Sequence, residues 1–265
     1  TILNNQILTV ESLSYYIDNK FIINNISFEM ISGDMISIIG PNGSGKSTLI
    51  KLLSDEIFPT SGNILFKNKE NTSWDLNDIA KLRSILPQSN HLSFPFSVCD
   101  IIKMGRYPFR GNDTNKYSQD VCDHLIEIFD LIKQKKQNYI TLSGGEKQRV
   151  QLARVFAQIW SESDYSGKLL ILDEPTSFLD IKHQCMLFDF LRKLNKRGLS
   201  ILLVLHEINH AIVNSNKILM LKDGNKIEFG DVDEVINEKN LEKIFFINIK
   251  LTKDKNTNKQ FVSYF

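Results

Sequence analysis

Cysteine is scarce in this 265-residue sequence: there are only three, Cys99, Cys122 and Cys185, widely spaced and without a CxxC pair. An odd number of separated cysteines argues against a disulfide framework and against a zinc site. Long apolar runs are also missing, because the longest have about five or six residues where a membrane-spanning helix needs ~20. No basic-then-apolar leader opens the sequence. These absences favour a protein of a reducing, cytoplasmic compartment.

The sequence has no excess of either charge, since 32 basic and 31 acidic side chains give a formal net charge of +1. That balance argues against the uniformly basic surface of a dedicated nucleic-acid-binding protein. The composition, with 42% hydrophobic and 24% charged residues, is that of an ordinary globular protein. The length is sufficient for one large domain, or for a core domain with a smaller one attached.

Strand-like and helix-like patterns alternate along the chain. An apolar run at 35–39 leads through a glycine-rich loop into an apolar helix, and continuous apolar runs at 169–172 and 200–205 are typical of buried parallel strands. Between these regions apolar residues recur at helical spacing. The positions expected to form one buried helix face are Val121, Leu125, Ile128 and Ile132. The pattern predicts an α/β fold with a parallel sheet.

The most specific motif is the glycine-rich loop, which fits the pattern G-x-x-x-x-G-K-[ST]. Its residues, with the threonine that follows, are Gly40, Pro41, Asn42, Gly43, Ser44, Gly45, Lys46, Ser47 and Thr48. Backbone N–H groups of such a loop surround a polyphosphate, the lysine reaches the β- and γ-phosphates, and the serine hydroxyl ligates Mg²⁺. A glycine-rich turn that fits the pattern by coincidence is the alternative, but the position between a strand and a helix favours a nucleoside triphosphate site.

Two carboxylates and one histidine complete the predicted site. Asp173 and Glu174 follow an apolar strand, at the sheet edge where open α/β proteins bind ligands. Asp173 is predicted to hold Mg²⁺, directly or through water, and Glu174 to polarise the water that attacks the γ-phosphate. His206 follows the next strand, where it can contact the γ-phosphate, although a capping or core histidine is the alternative. His183 and His210 have no comparable placement and are expected to be structural.

A further segment at 142–146, LSGGE, carries a family resemblance. Together with the glycine-rich loop, Gln88, the Asp173–Glu174 pair, the segment 177–180 and His206, it resembles the nucleotide-binding subunit of an ATP-binding cassette (ABC) transporter from about residue 8 to residue 235. The resemblance implies ATP and Mg²⁺ as cofactors. It also implies a head-to-tail dimer, in which Ser143, Gly144 and Gly145 serve the γ-phosphate held by the second copy.

The same resemblance implies further roles and a domain plan. Asp180 would lie at the dimer seam, and Gln88 would sense Mg²⁺ and the γ-phosphate. The expected fold is a P-loop (RecA-like) core with an N-terminal antiparallel β subdomain and an inserted α-helical subdomain. The boundaries are 1–87 and 161–240 for the core, 88–160 for the helical subdomain and 241–265 for a short extension that includes a terminal hairpin.

Within the family, residues 86–98 and 104–108 resemble importers of iron chelates, heme and cobalamin, and residues 151–167 look most like the heme importer subunit. The implied role is the ATP-hydrolysing subunit that powers heme uptake. The implied partners are a second copy, an integral-membrane permease dimer and, indirectly, an extracytoplasmic heme-binding protein, with no nucleic acid. The implied location is peripheral, on the cytoplasmic side of the inner membrane.

The sequence leaves other functions open. The same subunit could serve a ferric siderophore or cobalamin importer, and a soluble cassette ATPase, an exporter subunit or a cassette without turnover are less favoured. Two positions depart from the family pattern. Ile17 stands where many cassettes stack an aromatic ring on adenine, with Tyr15 and Tyr16 as neighbours, and Phe178 stands where a small residue is commoner.

Overall fold

The computed structural model describes residues 5–88, 94–246, 249–253 and 260–264. Within them the strands are β1 (Gln6–Ile17), β2 (Lys20–Ile31), β3 (Met35–Ile39), β4 (Ser61–Phe66), β5 (Lys69–Glu70), β6 (Arg83–Leu86), β7 (Leu169–Asp173), β8 (Ser200–Val204), β9 (Lys217–Lys222), β10 (Asn225–Asp231), β11 (Ile249–Lys253) and β12 (Gln260–Tyr264). The α-helices are α1 (Lys46–Leu53), α2 (Leu76–Leu82), α3 (Val98–Met104), α4 (Asn115–Ile128), α5 (Gly144–Ile159), α6 (Ile181–Asn195), α7 (Ile208–Asn214), α8 (Val232–Val235) and α9 (Glu238–Phe245).

The N-terminal sheet is antiparallel, with the strand order β2-β1-β4-β5. A tight turn joins its two long strands, and both turn residues, Asp18 and Asn19, have positive φ angles of 49° and 60°. Two such residues match the right-handed twist of a β-hairpin, and aspartate and asparagine tolerate this backbone region best after glycine. The predicted antiparallel β subdomain is therefore confirmed.

The second sheet has the order β10-β9-β3-β8-β7-β6, and its strands are parallel except for β10. All residues of β3, β7 and β8 are buried, as their continuous apolar runs predict. The carboxyl ends of these three neighbouring strands lie at one sheet edge. They bring the glycine-rich loop, Asp173 and the segment leading to His206 together there.

Strand β6 was not predicted, because Arg83 and Ser84 interrupt its apolar pattern. Both side chains are buried with partners: Arg83 donates to the Leu53 carbonyl and to Asp55, each at 2.9 Å, and the Ser84 hydroxyl donates to the Val155 carbonyl at 2.9 Å. Buried polar groups that have partners cost little, so a polar sequence occupies a buried edge strand.

Between β6 and β7 the chain forms the helical region, which contains α3, α4 and α5. Phe129 stacks on Phe156 with ring centroids 5.5 Å apart and joins this region to Phe190 of α6. The predicted burial of Ile132 is wrong, since its side chain is 64% exposed. Helix α4 ends at Ile128, and Asp130 turns the chain with a φ of 53°, so Leu131 enters the core instead.

At the C-terminal end, β11 and β12 form the expected antiparallel hairpin, although residues 247, 248 and 265 of that prediction lie outside the described residues. So do residues 89–93 of the importer-like segment, which include Leu92 and Ser93. The hairpin packs on α7, where the Asn209 amide accepts from the Val262 N–H at 2.8 Å and donates to the Val262 carbonyl at 3.2 Å. No helix in the described part of the chain is both long and apolar enough to cross a membrane.

Candidate nucleotide-binding site

The glycine-rich loop connects β3 to α1 in a shape that side chains at two positions would prevent. A Cβ atom at Gly40 would lie 2.1 Å from the Leu221 carbonyl oxygen. Gly45 adopts a left-handed φ of 99°, and a Cβ there would lie 2.8 Å from the Ile22 carbonyl. These glycines let the loop curl closely before α1 begins at Lys46, so the N–H groups of the first helical turn face the loop's concavity.

Lys46 is buried, and its ammonium group donates to the carbonyls of Gly40 and Pro41 at 2.8 and 2.9 Å. Burial lowers the pKa of Lys46, while the nearby carboxylates of Glu174 and Asp173 act in the opposite direction. The loop therefore holds a positive charge against its own backbone, where a polyphosphate would replace the two carbonyls as partner.

Asp173 lies at the end of β7 with Ser47 and Gln88 beside it, around a cavity of about 530 Å³. Burial, with Glu174 adding to it, raises the pKa of Asp173 to about 6, and its Oδ1 atom accepts no hydrogen bond within the described residues. The Ser47 hydroxyl lies 3.5 Å from the Gln88 Oε1 atom. A buried carboxylate oxygen without a partner, beside a hydroxyl and an amide oxygen, fits the oxygen ligands that Mg²⁺ prefers.

No group of three or more histidine, cysteine, aspartate or glutamate residues is arranged to hold a metal ion within residues 5–88, 94–246, 249–253 and 260–264. The oxygens available at this edge suit a magnesium ion that arrives with phosphate oxygens and completes its shell with them.

Glu174 follows with a left-handed φ of 51°, and its carboxylate is held from three sides. Its Oε1 atom accepts from the Gln88 amide at 2.8 Å and lies 2.6 Å from His206 Nε2, while the Ser177 hydroxyl contacts Oε2 at 3.4 Å. A second cavity, of about 540 Å³, is lined by Gly43, Lys46, Ser47, Thr48, Gln88, Glu174 and His206. The residues predicted for phosphate binding and water activation thus meet at one site.

The signature segment (residues 142–146) lies elsewhere in the same chain. Ser143 caps α5: its hydroxyl accepts from the Glu146 N–H at 3.3 Å and donates to the Glu146 carboxylate at 2.7 Å. Ser143, Gly144, Gly145 and Asp180 line neither of the two cavities. Within one chain these predicted nucleotide contacts are therefore not brought to the glycine-rich loop.

The seam loop (residues 177–180) packs against the signature segment. Phe178 is 80% exposed and has a φ of 64°, a conformation that bulky residues rarely adopt. A Cβ at Gly145 would lie 2.8 Å from the Phe178 carbonyl oxygen, and one at Gly144 would lie 3.4 Å from the Phe178 ring. Asp180 then caps α6, accepting from the His183 N–H at 2.9 Å.

The structure also places the aromatic candidates for base stacking. Tyr15 packs against the apolar cluster of the N-terminal sheet, whereas Tyr16 is 42% exposed and lies against Phe21 with ring centroids 4.8 Å apart. Ile17 is also exposed. Ile22, which sequence reasoning missed, lines the cavity of the glycine-rich loop. The Ile22 carbonyl lies close to Gly45 of this loop and to Gly224, both distant in the sequence, so no local sequence pattern predicts its place.

These features define a P-loop nucleotide-binding protein with an inserted helical region and an exposed, capped signature segment. The family model described as "ABC transporter" matches residues 23–177. The chain belongs to the ABC transporter family, and it is an ATP-binding ATPase of that family. Cassettes of this kind are dimeric and work with a membrane permease in importers.

Individual relatives match most of the chain. It is 36% identical to the hemin import ATP-binding protein HmuV of Escherichia coli O157:H7 over 93% of this chain and 95% of the relative. It is 37% identical to the protein of the same name from Aliivibrio fischeri, over 90% of each. A solved structure described as an inward-facing ABC transporter of metal-chelate type is similar with a TM-score of 0.78 and 26% identity, covering 98% of this chain and 97% of that one.

Proposed function

We propose that this chain is the ATP-hydrolysing subunit of an importer for hemin. The observation that carries the proposal is the convergence of Lys46, Gln88, Glu174 and His206 on one cavity, in a chain whose relatives are named as hemin import subunits. The proposed location is the cytoplasmic face of the inner membrane. The proposed partners are a permease dimer and, through it, an extracytoplasmic heme-binding protein.

In the proposed site, Lys46 and the loop N–H groups bind the β- and γ-phosphates. Ser47, Asp173 and Gln88 would hold the magnesium ion, which when bound neutralises charge on the phosphates. Glu174 accepts hydrogen bonds from the attacking water and orients it, and His206 holds Glu174 in place and contacts the γ-phosphate. The short contacts among Gln88, Glu174 and His206 support a shared role at the reacting end of the nucleotide.

A second copy of the chain is proposed to complete each site. Ser143 with the first N–H groups of α5 forms an anion site that faces away from the chain's own cavity. Phe178 and Ile181 next to it are 80% and 79% exposed, as expected for a surface that another copy covers. The head-to-tail arrangement would place this site over the γ-phosphate of the second copy and Asp180 at the seam.

The proposed permease surface lies on the helical region, around a cavity of about 470 Å³. Its wall combines aromatic rings and an arginine, which are residue types enriched at interfaces, with a lysine. They are Phe96, Lys103, Tyr107 and Arg110. The proposed subdomain boundaries, 1–87 and 161–240 around 88–160 with 241–265 as an extension, agree with a helical region that begins after β6 and ends before β7.

The experiment that tests the proposal uses Glu174→Gln, which keeps the shape of the side chain and removes its ability to act as a base. This variant is expected to bind ATP, to hydrolyse it at least a hundredfold more slowly, a loss of about 2.7 kcal/mol in transition-state stabilisation, and to form a stable dimer in light scattering. Lys46→Ala, the control, is expected to stay monomeric with ATP. Rapid turnover by Glu174→Gln would contradict the role of Glu174.

The cargo is tested by purifying the chain with its membrane partners. ATPase activity that rises on addition of a heme-loaded binding protein would support hemin. A second candidate cargo, a ferric siderophore or cobalamin, is favoured by the likeness to a metal-chelate type transporter. Stimulation by one of these ligands, and not by heme, would replace hemin and leave the ATPase role intact.

A further inference from the structure

His183 lies between two carboxylates that belong to different parts of the molecule. Its Nδ1 atom is 2.8 Å from Asp180 Oδ1, which also accepts the His183 backbone N–H at 2.9 Å. These bonds hold the pKa of Asp180 below its usual range, with the backbone N–H as the main cause. The imidazole and the backbone N–H of His183 thus fix one oxygen of Asp180.

The opposite edge of the ring faces Asp130 in the helical region. His183 Nε2 lies 3.6 Å from Asp130 Oδ2, is shielded from water and has no hydrogen-bond partner within the described residues. Only 13% of the side chain is exposed, although both carboxylates are on the surface. A shift of about 0.7 Å would bring Nε2 and Oδ2 to hydrogen-bonding distance.

Asp130 is firmly tied to the helix that carries the signature segment. The guanidinium group of Arg149, on α5, donates to the carbonyls of Phe129, at 2.7 Å, and Asp130. Lys182 donates to the Asp130 carboxylate at 3.0 Å and is the main cause that lowers the pKa of Asp130. The backbone of Asp130 is therefore tied to α5 and its carboxylate to α6, so a movement of α5 relative to α6 changes the distance between Asp130 and His183.

We propose that His183 is a positioning residue that links Asp180 at the seam to the orientation of the helical region. When α5 moves its Ser143 towards the second copy's nucleotide, Asp130 closes on His183 Nε2, and the ring presses Asp180 into one orientation. The inference rests on the proposed head-to-tail dimer, because only there do Ser143 and Asp180 act on bound nucleotide.

Two substitutions separate the ends of this link. His183→Asn places an amide near the position of Nδ1 and keeps the contact with Asp180, but its side chain is too short to reach Asp130. Asp130→Asn removes the charge at the other end, and since its side chain is 58% exposed the variant is expected to fold. Asp189→Asn is the control, because Asp189 is an exposed carboxylate on the same helix as His183 that pairs with Arg192 and is not part of the link.

The measurements are kcat and KM for ATP hydrolysis by the full chain. ATP affinity is measured after each substitution is combined with Glu174→Gln, which leaves Lys46 unchanged. His183→Asn and Asp130→Asn are each expected to lower kcat about fivefold to tenfold, with KM and thermal stability near those of the wild type. The double variant is expected to lose no more than the worse single variant. Asp189→Asn is expected to keep the wild-type kcat.

Three results would overturn the link. In the first, the losses in kcat of the two single variants multiply in the double variant. In the others, kcat and KM change equally, or both single variants keep wild-type rates. The Glu174→Gln variant tests the proposed function separately. If that variant dimerises with ATP while the His183 and Asp130 variants behave as wild type, only the link fails. If it stays monomeric with ATP, the dimer fails and the link fails with it.

Discussion

At the scale of single residues, the two glycines that open α5 differ in what surrounds them. The nearest atom to a Cβ at Gly145 is the Phe178 backbone oxygen at 2.8 Å, whereas at Gly144 it is a ring carbon of Phe178 at 3.4 Å. A ring at the surface can swing aside, but a carbonyl in the seam loop moves only with its backbone. The two positions therefore respond differently to the same added methyl group.

Gly145→Ala is expected to displace the seam loop and to lower ATP hydrolysis about tenfold or more, because misplacing a catalytic neighbour by a fraction of an ångström has effects of that order. Gly144→Ala is expected to retain most activity. ATP binding by the single chain, measured by calorimetry, is expected to be unchanged in both. Equal activities of the two variants would contradict the assignment of the 2.8 Å contact as the critical one.

The Ser143–Glu146 cap makes a prediction about acidity. The hydroxyl and backbone N–H of Ser143 hold the pKa of Glu146 below its usual 4.5. A carboxyl group whose pKa is lowered in the folded state stabilises the fold at pH values above its usual pKa. This stability is lost as the pH falls through the lowered pKa. Wild type is therefore expected to exceed Glu146→Gln in urea resistance at pH 7, with the gap closing below about pH 4.5. A gap that stays constant down to pH 3.5 would show that the charge of Glu146 is not the cause.

At the scale of elements, the sequence predicted the parts whose physics is local. Strands β3, β7 and β8 are continuous apolar runs because both faces are buried, and the glycine-rich loop shows its own backbone requirements. Strand β6 escaped prediction because Arg83 and Ser84 find partners from α1 and α5, which no local pattern contains. Ile132 was misplaced because periodicity cannot foresee the left-handed turn at Asp130.

The residues of the site also divide into those that a local motif predicts and those that depend on distant segments. Lys46, Asp173, Glu174 and His206 were predictable because each follows or lies within a recognisable motif at the end of a strand. The contribution of Ile22 and the contact of His183 with Asp130 depend on pairing between distant segments. Sequence spacing left His183 without a functional role. Asp180 is a local neighbour in the same helix cap, but only the packing of α6 against the helical region shows the second carboxylate, Asp130.

The C-terminal hairpin depends on Asn209, which supplies both a donor and an acceptor to the buried Val262 backbone. Asn209→Ala removes both hydrogen bonds and is expected to cost about 1–3 kcal/mol in the free energy of unfolding. Urea denaturation measures this loss. Asn225→Ala, which removes an exposed amide contact with Asn24, is the control and is expected to change stability far less. Similar losses in the two variants would show that the hydrogen bonds between Asn209 and Val262 stabilise the protein no more than an exposed amide contact does.

At the scale of the whole molecule, Ser143 and Gly144 do not line the chain's own phosphate cavity, and the proposed head-to-tail dimer would make activity a property of two chains. In that dimer each complete site would take its glycine-rich loop from one copy and its signature segment from the other. Lys46→Ala destroys the first contribution, and Ser143→Arg destroys the second by placing a bulky cation at the α5 cap. Ser143→Arg alone is expected still to bind ATP at its glycine-rich loop, and Lys46→Ala alone still to present its signature segment. Neither variant alone is expected to hydrolyse ATP.

Mixing these two inactive variants is expected to restore hydrolysis. In a mixed dimer one site combines the intact loop of Ser143→Arg with the intact signature segment of Lys46→Ala, while the other site has neither. If one site can act alone, each mixed dimer is expected to hydrolyse ATP at roughly half the rate of a wild-type dimer. The control replaces Lys46→Ala by the double variant Lys46→Ala/Ser143→Arg, which brings no intact half. If the two single variants pair with each other and no hydrolysis is recovered, either one site cannot act alone or the sites do not form across the seam. A linked dimer with a single defective site distinguishes these cases, because only the first leaves it inactive.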